Sequence, residues 1–167
     1  MVASFLDIKR AYDDTVDRCK LWALILEFEL HKWWIEFFEE MYDKSYIFST
    51  KNGEVSEKFR LKKGLRQGCP CSVTLFLIHI EKVSRRVYET GLGLRLTSTS
   101  NTLEMRPSVI LSYADDMVLL AEDTYELQQM LDVSGTTAEE LRQFFNEKKC
   151  ANVVFAGNTG NESKLPI

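Results

Sequence analysis

The sequence predicts an α+β fold: an antiparallel sheet of the split βαβ (ferredoxin-like) type, with helices packed on one face and an inserted β-hairpin. Three observations predict it. Short apolar, β-prone runs stand near residues 2–8, 108–121 and 151–155, and segments with helical spacing separate them. Asn52-Gly53 falls between two more such runs, and Asn-Gly is a strong hairpin-turn signal. Ser112-Tyr113-Ala114-Asp115-Asp116 is flanked by Val109, Ile110 and Leu111 before and Met117 to Leu120 after, which reads as the tip of a tight hairpin. Setting the inserted hairpin aside, the order of elements approximates a split βαβ pattern. In that pattern the first strand lies beside the Asp-Asp hairpin, so Asp7 faces Asp115 and Asp116.

Each element has its own warrant. Residues 2 to 8 read as a short buried strand. Val16, Leu21, Leu24, Ile25 and Phe28 recur at near-helical spacing and predict a helix over 16–30. Trp33, Trp34, Phe37, Phe38 and Met41 predict a second helix over 32–43, packed against a core; a base-stacking platform is the alternative for that aromatic run. The Asn52-Gly53 hairpin spans 45–61. The loop Lys62-Lys63-Gly64-Leu65-Arg66-Gln67-Gly68-Cys69 follows, and Pro70 suits the first turn of the next helix. That helix, about 72–90, carries Val73, Leu75, Phe76, Leu77, Ile80, Val83 and Val87 as its inner face. Gly91 and Gly93 end it. Residues 92–97 read as a further strand and 98–107 as a loop. A helix over 124–147 follows the Asp-Asp hairpin, with Leu127, Met130, Leu131, Val133, Leu141 and Phe144 inward. Ala151 to Phe155 form the last strand.

Composition narrows the class. A chain of 167 residues is one domain or a piece of one. Its net charge of -4 argues against a stand-alone nucleic-acid binder, though not against an enzyme with a locally basic groove. Cys69-Pro70-Cys71 has no second Cys or His pair, which disfavours zinc, and Cys19, Cys69, Cys71 and Cys150 read as reduced intracellular thiols. No apolar run reaches the length of a membrane span and no signal-peptide pattern opens the chain. An intracellular protein, cytoplasmic or nuclear and not secreted, is therefore expected. His31 and His79 read as structural or surface residues. The chain enters a strand at residue 2 with no lead-in, so a truncated chain is expected.

The chemistry centres on the carboxylates. A buried pair of like charges is costly unless neutralised, and a divalent cation is the simplest neutraliser. Three carboxylates converging from neighbouring strands can bind two divalent cations, one activating a hydroxyl and one stabilising leaving oxygens in an in-line displacement at phosphorus. Oxygen donors without clustered His or Cys favour Mg²⁺, with Mn²⁺ as a substitute. Read alone, Asp115-Asp116 is also compatible with a solvated hairpin turn, where Asp is common.

Four blocks resemble a known family. Tyr113-Ala114-Asp115-Asp116, within 112–116, looks like the Tyr-X-Asp-Asp box of reverse transcriptases. Phe5 to Asp13 resembles the first catalytic block of the non-LTR retrotransposon and group II intron branches. Gly64 to Pro70 is similar to the second block, and Phe145 to Cys150 leading into Phe155 to the fourth. The blocks at 5–13, 64–70, 112–116 and 145–155 stand in family order.

The resemblance implies an RNA-directed DNA polymerase palm over residues 1–157, followed by a polar tail at 158–167 expected to be disordered. Asp7 and Asp115 would carry two Mg²⁺ ions, with Asp116 assisting. Ile8 would offer a backbone group near the incoming dNTP. Tyr12 would crowd the sugar 2′-OH. Gln67 and Gly68 would lie under the nascent base pair, with Arg66, Gly64 and Tyr113 near template and primer. Lys149 would stand near the phosphates; a solvated helix end is the other reading of Lys148 and Lys149. Departures from the family pattern are Cys71-Ser72-Val73 after Gly-Cys-Pro, and Leu75-Phe76-Leu77 without an amide residue. RNA template, DNA primer and dNTPs are the implied partners, with no membrane. The family's fingers and thumb regions do not fit in the chain, so it is expected to be a fragment of a retroelement polyprotein with little activity alone. A non-catalytic remnant or protein-binding scaffold is the alternative, and an RNA-directed RNA polymerase palm a further one.

Overall fold

The computed structural model describes residues 1–9, 16–94 and 110–155. The chain forms two compact units, one from Met1–Ala11 with Ile80–Ile167 and the other from Tyr12–His79.

The first unit is built on a four-stranded antiparallel sheet. Strand β1 (Val2–Asp7) is central. The hairpin strands β6 (Ile110–Tyr113) and β7 (Asp116–Ala121) lie on one side of it and β8 (Ala151–Val154) on the other, in the order β6-β7-β1-β8. The register runs from Val2 opposite Ala121 to Asp7 opposite Asp116. Alternation explains it: Met117, Leu119 and Ala121 are buried while the residues between them are more open, the period-2 signature of a strand with one core face. Helix α4 (Thr124–Glu140) packs on β1 and β7 and buries Leu127, Met130 and Ala138. Asp123 caps it, accepting from the N–H groups of Tyr125 and Glu126. The expected mixed helix and antiparallel sheet is present.

The second unit opens with α1 (Arg18–Glu27), capped by Asp17 and burying Leu21, Trp22, Leu24 and Ile25. Helix α2 (Trp33–Asp43) follows. The Asn52-Gly53 hairpin is a ribbon of two short strand pairs: β2 (Tyr46–Ile47) with β5 (Phe59–Arg60), and β3 (Thr50–Lys51) with β4 (Glu54–Val55). Asn52 and Gly53 both have positive φ, 52° and 84°, which matches the twist a two-residue hairpin needs. Helix α3 (Pro70–Glu89) begins at Pro70 as expected, and Gly91 follows it at φ 69°.

Three expectations are corrected. The apolar stripe of α2 packs inward only in part: Phe38 stacks on Trp22 of α1 at 6.0 Å and Tyr42 is buried, but Trp33, Trp34 and Phe37 are exposed and touch one another, Trp33 stacked on Phe37 and Trp34 edge-on to both. Val73 and Leu77 of α3 are also exposed. Helix α4 ends at Glu140 instead of 147, because Arg142 takes a left-handed φ of 58° and turns the chain; Phe144 is exposed, and Lys148 and Lys149 lie beyond the helix. The expected strand at 92–97 is described only to Leu94, whose N–H bonds to the Leu120 carbonyl at 3.0 Å. The loop expected at 98–107 and the tail at 158–167 lie outside the described residues. Among the described residues no helix is long and apolar enough to cross a membrane.

Candidate nucleotidyl-transfer site

The sheet register places the carboxylates. Asp7 ends β1 and Asp116 begins β7, directly opposite one another. Opposite residues of an antiparallel pair put their side chains on one face of the sheet. Asp115 is the second residue of the two-residue turn joining Tyr113 to Asp116. The first, Ala114, has φ 54°. Glycine normally fills such a position, because a Cβ crowds the next carbonyl there. Tyr113 is 84% exposed.

The segment from Phe144 to Cys150 docks beside Asp7. The Lys9 N–H donates to the Phe144 carbonyl at 2.8 Å and the Asn146 N–H to the Asp7 carbonyl at 2.8 Å. These two bonds close an antiparallel bridge between Ile8 and Phe145, and neither uses the amide or carbonyl of Ile8 itself. The Ile8 side chain is buried. The same docking brings Lys149 Nζ within 3.0 Å of Asp7 Oδ1, from 142 residues away in sequence. Asp7's side chain is 16% exposed, Lys149's 64%. Lys149 is held above its ordinary value, first by the hydrogen bond to Asp7, then by the charge of Asp7; slight burial opposes this, and Asp115 and Asp116 add smaller raising effects.

Asp7, Asp115 and Asp116 supply only hard oxygen donors, the type Mg²⁺ and Mn²⁺ take. In donor chemistry the set fits such a cation, and a positive charge, the Lys149 ammonium, already stands 3.0 Å from Asp7. Among the described residues, however, no group of three or more His, Cys, Asp or Glu is gathered closely enough to hold a metal. The charge resting on Asp7 is the ammonium of Lys149.

The Gly64 to Pro70 loop belongs to the second unit. Arg66, Gln67 and Gly68 are exposed and Gly64 is buried. Arg66, Gln67 and Gly68 line an open pocket of about 360 Å³ with Cys69, Pro70, Ser72 and Val73. Gly64 and Gly68 both have positive φ, 74° and 78°. A Cβ on Gly68 would meet nothing within 4 Å, so its backbone conformation and not space calls for glycine. At the start of α3, burial raises the Cys69 thiol. Hydrogen bonds from Cys71 and Ser72 and the charge of Arg66 outweigh it and leave the thiol below its ordinary value.

Two supports of this loop were not visible in the sequence. Arg18 donates from Nε to the Gly64 carbonyl at 3.0 Å, and from Nη2 to the carbonyls of Leu61 at 2.6 Å and Lys63 at 3.2 Å. Its guanidinium lies 4.5 Å from the centre of the Tyr42 ring. Ser72 donates to the Arg66 carbonyl at 2.7 Å, which leaves its oxygen to accept from the Tyr42 hydroxyl at 3.3 Å. No local pattern marks Arg18 or Tyr42 for this, since both partners are distant in sequence. Tyr12 lies outside the described residues.

Residues 1–164 match the family described as Reverse transcriptase (RNA-dependent DNA polymerase). A retrovirus-related Pol polyprotein from the type-1 retrotransposable element R2 of Popillia japonica is 23% identical over 93% of this chain, which covers 24% of that protein. Its counterpart in Nasonia vitripennis is 27% identical over 98% of this chain, covering 15% of that protein. The chain thus spans a quarter or less of the length of these curated relatives. Among solved structures, an apo telomerase from Candida tropicalis superposes with a TM-score of 0.67 at 17% identity, over 98% of this chain and 32% of that one, a likeness of fold. The chain belongs to the reverse transcriptase (RNA-dependent DNA polymerase) family.

Proposed function

We propose that the chain is the palm of a non-LTR-type retroelement reverse transcriptase, working on an RNA template, a DNA primer and dNTPs. The strand order β6-β7-β1-β8 supports the split βαβ description of that palm: β1 and β6 run the same way with β7 between them. The observation that carries the functional reading is Asp7 opposite Asp116, next to Asp115, at one end of the sheet. Asp7 and Asp115, with Asp116 assisting, would hold Mg²⁺. When bound, the divalent cations supply charge neutralisation at phosphorus and activation of the primer hydroxyl. Lys149 holds a positive charge beside these carboxylates, where a triphosphate's charge needs screening. Ile8 keeps its amide and carbonyl out of the bridge to Phe145, and they serve to position the nucleotide. Gln67 and Gly68, with Arg66 and Gly64, form the template loop. Tyr12 acts as the gate that favours dNTPs over NTPs and separates this reading from an RNA-directed RNA polymerase. An intracellular site of action, cytoplasmic or nuclear, follows from the substrates.

Isothermal titration with Mg²⁺ and with Ca²⁺ tests the site. Wild type is expected to bind, and Asp7→Ala or Asp115→Ala to bind at least about tenfold more weakly; unchanged binding in both would remove these residues as ligands. Because the chain spans a quarter or less of its relatives, the activity is proposed for the polypeptide carrying this palm. The isolated chain is expected to extend a primer on an RNA template little or not at all. One observation favours a second reading, a non-catalytic scaffold: the three carboxylates are not gathered into a ligand shell. Absence of metal binding in wild type selects that reading.

A further inference from the structure

The net charge of -4 hides a strong local asymmetry. Residues 45–66 hold six Lys and Arg against two Asp and Glu, a net of +4, whereas residues 1–44 and 67–167 each carry -4. The basic stretch is the hairpin ribbon and the loop after it. Every residue from Tyr46 to Arg60 is exposed, although the ribbon includes Tyr46, Ile47, Phe48, Val55 and Phe59. Phe48 is 52% exposed and Phe59 55%.

Two-stranded ribbons are marginal in water unless a face is covered, and this one presents apolar and aromatic side chains among cations. The register organises them. Tyr46 is opposite Arg60 and Ile47 opposite Phe59. Beyond that pair the register shifts by one residue, so that Thr50 faces Val55. The shift leaves Phe48 opposite two residues, Glu57 and Lys58, which is the arrangement of a β-bulge and adds twist to the ribbon. By alternation, Tyr46 and Phe48 share a face with Arg60, whose guanidinium stands 5.7 Å from the Tyr46 ring centre. Lys58, two residues before Arg60, adds a second cation on that side, whereas Phe59, opposite Ile47, and Lys51 stand on the other face.

Rings interleaved with cations on an open ribbon match the needs of an unpaired nucleic-acid strand. Bases stack on the rings regardless of sequence, and the cations follow the phosphates. A duplex has no free base faces to offer, and a protein partner would gain nothing from the cations unless it were acidic. We propose that the β2–β5 ribbon binds a single-stranded segment of nucleic acid through the face that carries Tyr46 and Phe48 together with Lys58 and Arg60. This contact is separate from the carboxylate chemistry and needs no metal.

Fluorescence anisotropy of labelled oligonucleotides against the full chain, in EDTA and over a range of salt, tests it. RNA and DNA single strands of one sequence, and the corresponding duplex, form the arms. Single strands are expected to bind more tightly than the duplex, and the RNA and DNA arms identify the preferred source. In a Tyr46→Ala, Phe48→Ala variant the single-strand Kd should rise about tenfold or more with an unchanged salt slope. In a Lys58→Gln, Arg60→Gln variant the magnitude of the slope of log K against log salt should fall by about 1.4. All four positions are exposed, and circular dichroism confirms that the variants fold. Because EDTA removes divalent cations, binding here is independent of the metal titration, which keeps this result apart from the fate of the polymerase reading. Failure of wild type to bind, equal affinity for duplex, or Kd and slope unchanged in both variants would overturn the proposal; an acidic protein captured through the same residues without oligonucleotide binding would overturn it in favour of a protein partner.

Discussion

Removing Arg18 should loosen the loop that carries Gln67 and Gly68. Arg18→Met keeps most of the stem and deletes the guanidinium. Three carbonyls then lose a donor: Gly64 and Leu61, whose bonds are partly buried, and Lys63, whose bond is longer and exposed. A hydrogen bond from a charged donor contributes about 1.5–3 kcal/mol when well shielded. Arg18 is only partly buried, so water competes for its partners and each of the first two is discounted to about 1 kcal/mol; the Lys63 bond is counted as nothing. Stacking over Tyr42 adds about 0.5–1 kcal/mol. The sum is about 2–3 kcal/mol, or a fall in Tm of roughly 5–10 °C for a chain of this size. Urea unfolding followed by circular dichroism measures it. Hydrogen exchange at Gly64, whose N–H bonds to the Val16 carbonyl at 3.0 Å, should speed up in parallel. Arg18→Lys retains the charge but not the fork, and should recover less than half of the loss. If Arg18→Met lies within about 0.5 kcal/mol of wild type, or Arg18→Lys restores it fully, the fork is not what holds the loop.

Two further outcomes are expected. Ala114→Gly should stabilise the Asp-Asp hairpin by a few tenths to about 1 kcal/mol, because the left-handed φ costs alanine more than glycine loses in chain entropy; a lower urea midpoint would contradict this. Cys69 should react with iodoacetamide with a midpoint pH below the ordinary thiol value of 9.0, since a lowered pKa supplies thiolate earlier as pH rises. Peptide mass spectrometry after timed labelling locates the reaction, and a midpoint at or above that value counts against the loop geometry.

Local patterns made much of the sheet legible. The β6–β7 turn, the Asn52-Gly53 hairpin and the alternation in β7 are properties of neighbouring residues, and they led to the neighbour order that puts Asp7 beside Asp116. Tertiary facts were not legible. The spacing of Trp33, Trp34 and Phe37 shows an apolar stripe but not whether anything covers it, and nothing among the described residues does so fully. Helix α4 stops at Glu140 through a left-handed Arg142, which no glycine or proline announced. Family resemblance brought Lys149 into view, yet its ion pair with Asp7 depends on a bridge at Ile8 and Phe145 that only folding reveals.

The pairing of β1 with β7 also decides which length changes the gene tolerates. Side chains alternate across a strand, so one codon lost between Val2 and Leu6 would break the buried face on which Val2, Ser4 and Leu6 meet Met117, Leu119 and Ala121, or would carry Asp7 to the opposite face from Asp116. A codon lost from the exposed ribbon at 46–60 would disturb only its own short pairs. Length differences among related sequences should therefore be rarer between Val2 and Asp7 than in the ribbon, a record of the sheet register written in reading-frame length.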